Sequence, residues 1–190
     1  MKIAIGSDHR GVEARRRLIG FLERHGHSVE DCGSYDETAV DYPDVAADVS
    51  RQVANGSVDR GILLCCTGVG MAIAANKVPG VRAATCHDEV AAEMSRRHND
   101  LNVLCLAAEM VGAEQQEKMT EIWLNTDFEG GRHERRLSKI SALEATACGR
   151  AASPALRFAG SLLQQTPFIS FRFRTFSIGG ASQSAVSGTR

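Results

Sequence analysis

The feature that most constrains this chain is its alternation of short, almost unbroken apolar runs with longer segments of helical period. Strands are expected over residues 2–5, 28–32, 61–65, 81–85 and 102–107, and helices over 11–24, 42–54, 69–77, 87–97, 113–124 and 132–148. Strands without polar alternation are strands covered on both faces. Regular strand–helix alternation implies right-handed crossovers, hence a parallel sheet with helices on both sides. The expected fold class is α/β, a three-layer α/β/α sandwich around a Rossmann-like five-stranded parallel sheet. The 190 residues suit one domain with a substantial core.

Residues 1–150 carry this pattern. Over 151–190 helical periodicity fades and Ser, Gly, Thr and Gln become frequent, so a disordered extension is expected there. Phe171-Arg172-Phe173-Arg174 alternates apolar and basic, which also fits an edge strand or a contact for an anion. The net charge of −1 divides into +4 on 151–190 (Arg157, Arg172, Arg174 and Arg190, with no acid) and therefore −5 on 1–150. That balance gives no general attraction to nucleic acid or to a membrane surface. No apolar run reaches membrane-spanning length, and the amino-terminal run is too short for a signal peptide. The six cysteines, Cys32, Cys65, Cys66, Cys86, Cys105 and Cys148, form no CxxC pair and no zinc-finger spacing with histidine. Reduced thiols in the cytoplasm are expected, with no metal site.

In an open parallel sheet, ligands sit beyond the carboxyl ends of the strands. The loop after the first strand, Gly6-Ser7-Asp8-His9-Arg10-Gly11, has the glycine spacing of a P-loop. Val12 and Glu13 stand where Lys and Ser/Thr are required. The loop after the third, Cys65-Cys66-Thr67-Gly68-Val69-Gly70, begins like a dinucleotide fingerprint. Ile73 occupies its third small position, however, so neither loop is a nucleotide site. Gly68 and Gly70 still allow backbone N–H groups to approach an anion at a helix start. Cys65 precedes them, placed so that a thiolate could take a proton from a carbon beside a carbonyl while the loop amides face the nascent oxyanion. The same residues also fit a tight turn without ligand and a core thiol.

Arg132 and Arg136, four apart at a helix start, share one face and match a phosphate dianion; a solvated basic face reads equally well. His98 ends the fourth helix, before the fifth strand, and could exchange protons near neutral pH. It belongs at the amino ends of the strands, whereas Cys65 belongs at the carboxyl ends. The two should not meet within one chain, so a homodimer with composite sites is expected.

Together these segments resemble the ribose-5-phosphate isomerase B family, which also holds galactose- and allose-6-phosphate isomerases. The resemblance rests on Gly6-Ser7-Asp8-His9, Asp41-Tyr42-Pro43, Cys65-Cys66-Thr67-Gly68-Val69-Gly70, Ala74-Ala75-Asn76-Lys77, Ser95-Arg96-Arg97-His98-Asn99-Asp100 and Gly130-Gly131-Arg132-His133-Glu134-Arg135-Arg136, in order over residues 2–148. It implies an aldose–ketose isomerase interconverting ribose 5-phosphate and ribulose 5-phosphate in the pentose phosphate pathway. Cys65 would be the base acting through a cis-enediolate. The amides of Cys66, Thr67, Gly68, Val69 and Gly70 would hold the oxyanion. Thr67 and His98 would open the furanose ring, Asp8 and Asn99 would contact sugar hydroxyls, and His9, Arg132 and Arg136 the phosphate. It further implies no metal or organic cofactor, and a homodimer with shared sites or a tetramer built from such dimers.

Three features depart from the family pattern. Cys66 stands where many members have Gly. Glu109 stands where an Arg usually contacts the phosphate; it must point away or leave the phosphate fewer cations. Residues after Gly149 have no counterpart. A six-carbon or four-carbon aldose phosphate is the nearest alternative substrate. A sugar-phosphate sensor without turnover is the alternative from another class, and it would have no need for Cys65, Thr67 and His98 together.

Overall fold

The computed structural model describes residues 1–34 and 38–151. The extension expected over 151–190, and the Phe171-Arg172-Phe173-Arg174 stretch within it, lie outside the described residues but for the first position. Five strands, β1 (Lys2–Ser7), β2 (Ser28–Asp31), β3 (Arg60–Cys65), β4 (Ala83–Thr85) and β5 (Val103–Ala107), form one sheet in the order β2-β1-β3-β5-β4. Every pairing is parallel. The helices are α1 (Val12–Arg24), α2 (Tyr42–Ala54), α3 (Val69–Ala75), α4 (Glu89–Asn99), α5 (Ala113–Asn125) and α6 (Arg132–Ala151), with a 3-10 turn over His9–Gly11. The expected α/β sandwich with its five-stranded parallel sheet is what forms.

Successive side chains on a strand point to opposite faces, and here both faces are buried. Ile3, Ile5, Ile62, Leu64, Leu104 and Leu106 pack with Leu18, Leu22, Met119 and Trp123 of α1 and α5. Ala4, Leu63, Cys65, Val103 and Cys105 pack with Val49 of α2 and Met71 and Ala75 of α3. Burial on both faces is why β1, β3 and β5 carry no polar alternation, whereas the edge strand β2, Ser28-Val29-Glu30-Asp31, is polar and has no fully buried residue. The strand ends are thereby fixed rigidly, each fully buried Ile or Leu contributing about 1.5–3 kcal/mol.

Several element ends differ from expectation, most of them because a side chain takes over a backbone bond. The fourth helix starts at Glu89 rather than residue 87, since the Asp88 carboxylate caps the Ala91 N–H at 2.7 Å. It runs on to Asn99 and stops at Asp100, whose backbone is left-handed at φ 44°. Arg96 and Arg82 hold the Asp100 carboxylate there at 2.8 and 2.7 Å. The third helix ends at Ala75 rather than residue 77 because the Asn76 amide stitches it to β4, donating to Ala83 O at 2.7 Å and accepting from Ala83 N at 2.9 Å. β4 begins at Ala83 rather than residue 81. Arg82 N donates to the Asn102 side chain at 2.7 Å instead of joining the ladder.

Candidate active site

β1 and β3 lie side by side, with Ser7 opposite Leu64. From β1 the chain moves outward to β2, whereas β3 leads to the other half of the sheet, which makes their carboxyl ends a switch point where a crevice opens. Asp8 N donates to Leu64 O at 3.3 Å, tying the first loop to β3. The Asp8 carboxylate caps Arg10 N at 2.9 Å and puts His9 in the 3-10 turn. Beneath them the buried Arg15 donates to Ser7 Oγ at 2.8 Å and pairs with Asp31 at 3.0 Å. A Cβ on Gly33 would lie 1.7 Å from its Nη1, so glycine there is what makes room for the guanidinium.

Cys65 is the last residue of β3 and keeps 6% of its surface exposed, unlike Cys105 beside it on the same face, which keeps none. The chain then turns back through Gly68 at φ +76° to start α3. That conformation is open to glycine and strained for other residues. It aims the Gly68 N–H at Cys65 Sγ, 3.1 Å away. Val69 N–H donates to Thr67 Oγ1 at 3.3 Å. Gly70 lies under the Tyr42 ring, where a Cβ would come within 2.9 Å of ring carbons. Tyr42, from the Asp41-Tyr42-Pro43 segment, therefore forms one wall beside the loop.

Glu109, just beyond β5, is bound side-on by Arg10, with Nε to Oε1 and Nη2 to Oε2 both at 2.5 Å. Cys66 Sγ donates to Glu109 Oε2 at 3.4 Å. The Arg10 hydrogen bonds hold the Glu109 carboxyl below its ordinary range. The bond to Glu109, then burial and the carboxylate's charge, push the Cys66 thiol up, with Arg10 opposing. The charge that sequence reasoning could not place is thus spent on Arg10, a contact 99 residues apart that no local spacing announces.

A second group forms where α4 ends. Glu129 N donates to Arg97 O at 3.0 Å, which docks the loop before α6 onto α4. His98 and His133 stack with centroids 4.2 Å apart and planes 3° from parallel. Glu129 Oε2 lies 3.7 Å from Nε2 of each. Arg97 holds the other oxygen, Nε to Oε1 at 2.5 Å, and draws the carboxyl below its ordinary value. Burial, with the charges of His98, Arg132 and Arg136, holds His133 below the ordinary imidazole value, and Glu129 opposes them. Arg132 and Arg136 lie exposed in the first turns of α6 beside this group.

The sequence-derived residues therefore fall into two groups. Asp8, His9, Cys65, Cys66, Thr67, Gly68, Val69 and Gly70 gather at the carboxyl ends of β1 and β3. His98, Asn99, Arg132 and Arg136 gather where α4 ends. Arg96 of α4 donates to Leu101 O, two residues before β5, at 2.6 Å, whereas Cys65 pairs with Ala107 at the far end of that strand. The four steps from Val103 to Ala107 span about 13 Å, so within one chain the groups stay apart. A cavity of about 460 Å³ between β4, α4 and α6 takes in Asn99, Arg82 and Ser95 but no residue of the Cys65 loop. Sequence reasoning missed Arg10, Tyr42, Glu129 and His133 as parts of these groups. It also found no ligand cluster, whereas the fold assembles one from His98, Glu129 and His133, whose ligand atoms lie within 4.8 Å of one another. The spacing Glu129-x-x-x-His133 across two glycines was the one available signal.

Residues 3–140 match the family model described as Ribose/Galactose Isomerase. The chain is 43% identical over 143 residues to ribose-5-phosphate isomerase B of Escherichia coli, covering 75% of this chain and 96% of that protein. It is similar to the structure of Clostridium thermocellum ribose-5-phosphate isomerase B, with TM-score 0.77 and 46% identity over 77% of this chain and 99% of the other. It is similar also to Mycoplasma genitalium ribose-5-phosphate isomerase B with bound ribulose 5-phosphate, at TM-score 0.74 and 41% identity over 76% and 96%.

Proposed function

The chain belongs to the ribose/galactose isomerase family, and from that premise we propose that it interconverts ribose 5-phosphate and ribulose 5-phosphate with Cys65 as the base. One observation carries the assignment of the base: a thiol at the tip of β3, with the Gly68 N–H directed at its sulfur, in a loop that turns through a left-handed glycine.

The Cys65 sulfur removes the proton from C2 of the open-chain aldose. The C2–H electron pair becomes the C1–C2 double bond of a cis-enediolate, and O1 takes the negative charge. Loop amides of the residues 66–70 turn supply donors for that oxygen. The proton of the C2 hydroxyl passes to O1, and the sulfur returns its own proton to C1, leaving the ketose. No electron leaves the substrate and no cofactor is needed. Thr67 and His98 act earlier, opening the furanose ring. Asp8 and Asn99 bind sugar hydroxyls, and His9, Arg132 and Arg136 bind the phosphate.

The separation of the two groups along β5 supports a homodimer in which each site joins the Cys65 loop of one chain to His98, Asn99, Arg132 and Arg136 of the other. Val69 and Ile73, one turn apart on α3 beside that loop, are 48% and 59% exposed. Ile140 and Leu143 of α6, near Arg136, are 41% and 71% exposed. Apolar side chains at the rims of both half-sites support burial against a second copy. No helix among the described residues is long and apolar enough to cross a membrane. The five described cysteines are free thiols, which supports a reducing cytoplasmic setting, and a place in the pentose phosphate pathway follows from the substrate pair.

The test is NMR of ribose 5-phosphate incubated with the protein in D2O. Deuterium should enter C1 of the ketose and C2 of the aldose, and Cys65→Ala should abolish exchange while ligand binding persists. Binding without exchange in the native protein would identify a sensor. Faster turnover of a four- or six-carbon aldose phosphate would reassign the substrate.

A further inference from the structure

We propose that His98, Glu129 and His133 form a binding site for a zinc-class divalent cation, and that occupancy switches the enzyme off by capturing His98. The binding half stands on geometry alone; the inhibition rests on the role assigned to His98 above.

Zinc bound to imidazole nitrogen and carboxylate oxygen at ordinary lengths puts neighbouring ligand atoms about 3.4 Å apart in a tetrahedron. Glu129 Oε2 stands 3.7 Å from Nε2 of His98 and 3.7 Å from Nε2 of His133, two separations within a few tenths of an ångström of that spacing, and all three ligand atoms lie within 4.8 Å of one another. The rings lie in nearly parallel planes with centroids 4.2 Å apart, so their in-plane lone pairs meet at one ion only when the partly exposed His98 ring turns out of the stack toward His133 Nε2 and Glu129 Oε2. Two imidazoles and a carboxylate leave a fourth vertex for water, which His98, 35% exposed at its side chain, can supply from solvent. Imidazole donors favour zinc over magnesium or calcium.

The surroundings hold the ligands in place. Arg97 binds Oε1 of Glu129 and leaves Oε2 facing the imidazoles, the outer-shell arrangement that orients a ligating carboxylate. Gly130 and Gly131, at φ +67° and +56°, fold the loop so that Glu129 and His133 face the same point. His133, 4% exposed, is fixed by packing. One contact competes: Arg132 Nε lies 3.2 Å from His133 Nε2 and must swing outward when the ion enters. Arg132 is exposed, in the first turn of α6, and has solvent to swing into. Because Arg132 also belongs to the phosphate set, the ion would act on two substrate contacts at once.

The experiment is titration of the full-length protein with Co(II), whose visible absorption reports tetrahedral coordination, followed by displacement with zinc and assay of isomerisation at each step. One equivalent of cobalt should bind with tetrahedral ligand-field bands and without a thiolate-to-cobalt charge-transfer band. Zinc should displace it and inhibit over the same concentration range, with EDTA restoring turnover. His133→Ala and Glu129→Gln should each weaken cobalt binding by about tenfold or more, and Cys65→Ser should leave it unchanged. If His133→Ala does not fold, the isosteric Glu129→Gln reads the same contact. Absence of saturable binding, binding that survives both variants, or a thiolate band lost in Cys65→Ser would overturn the site. Binding without inhibition would overturn the switch. Cobalt bound as expected to a protein without isomerase turnover would instead fault the proposed function.

Discussion

Gly68 donates its N–H to Cys65 Sγ across 3.1 Å, from a backbone held at φ +76°. The two facts are linked. The left-handed turn is what brings the amide back over the sulfur three residues earlier, and the space for it is limited. A Cβ on Gly68 would stand 2.7 Å from Thr85 Cγ2 and 3.1 Å from the Leu106 backbone. The sulfur, the turn and the β4–β5 pair therefore form one rigid unit.

Gly68→Ala should accordingly destabilise the protein by about 1–3 kcal/mol and reduce kcat as the amide is displaced. Gly26 is the control. Its φ is +79°, but a Cβ there meets nothing within 4 Å, so Gly26→Ala carries the backbone cost without the clash. Urea unfolding and steady-state assay of both variants separate the two effects. Equal stability losses with unchanged kcat would mean that the loop accommodates the methyl group and the amide is dispensable.

The Arg10–Glu109 pair makes a second, independent prediction about thiol chemistry. The Cys66 thiol is pushed up chiefly by its bond to Glu109, with burial and the carboxylate's charge behind it. In Glu109→Gln that charge disappears and Arg10, which opposes the shift, loses its partner. Both changes lower the Cys66 pKa and raise the thiolate fraction at a given pH. In a Cys65→Ser background, alkylation of Cys66 by iodoacetamide at pH 8 should accelerate about two- to fivefold. Peptide mapping by mass spectrometry follows it, and an unchanged rate would show that Glu109 does not govern the thiol.

Much of this was legible from residue pattern. Unbroken apolar strands announced a sheet buried on both faces, and the glycines and cysteine of the third loop stood where a parallel sheet places its chemistry. Three kinds of feature were not legible. Element ends were moved by side chains that replace backbone bonds, as Asn76 does for α3 and Asp88 for α4. Long-range pairs such as Arg10 with Glu109 leave no trace in local spacing. The His98–Glu129–His133 group needs the loop before α6 to dock on α4, which the sequence shows only as two glycines.

His27, between α1 and β2, sets a pH dependence of stability. Burial, then the amino-terminal charge and His25, hold its pKa below the ordinary 6.5. Below 6.5 the unfolded chain takes up a proton that the folded chain refuses, so unfolding gains and stability falls as pH drops through the folded value. The contribution is fully present above pH 6.5. Tm should therefore decline between pH 7.5 and 5.5, and His27→Gln, which cannot titrate, should flatten that part of the profile in differential scanning calorimetry. An identical slope in the variant would assign the acid sensitivity elsewhere.

The separation of Cys65 from His98 along β5 leads to the most discriminating prediction, because it concerns how many chains make one site. Suppose each site takes Cys65 from one chain and His98 from another. Cys65→Ala and His98→Ala homodimers are then both inactive, each lacking one group at both sites. Mixed and allowed to exchange subunits, half the dimers become heterodimers. In a heterodimer one site combines both lesions and the other combines neither. An equimolar mixture should therefore recover about a quarter of native activity, appearing at the rate of subunit exchange and absent when exchange is prevented by crosslinking first. If every site lay within one chain, no pairing of these variants could restore a complete set. Activity would stay at the level of the separate proteins however long they were mixed, and the composite site would have to be abandoned even if the protein proved dimeric.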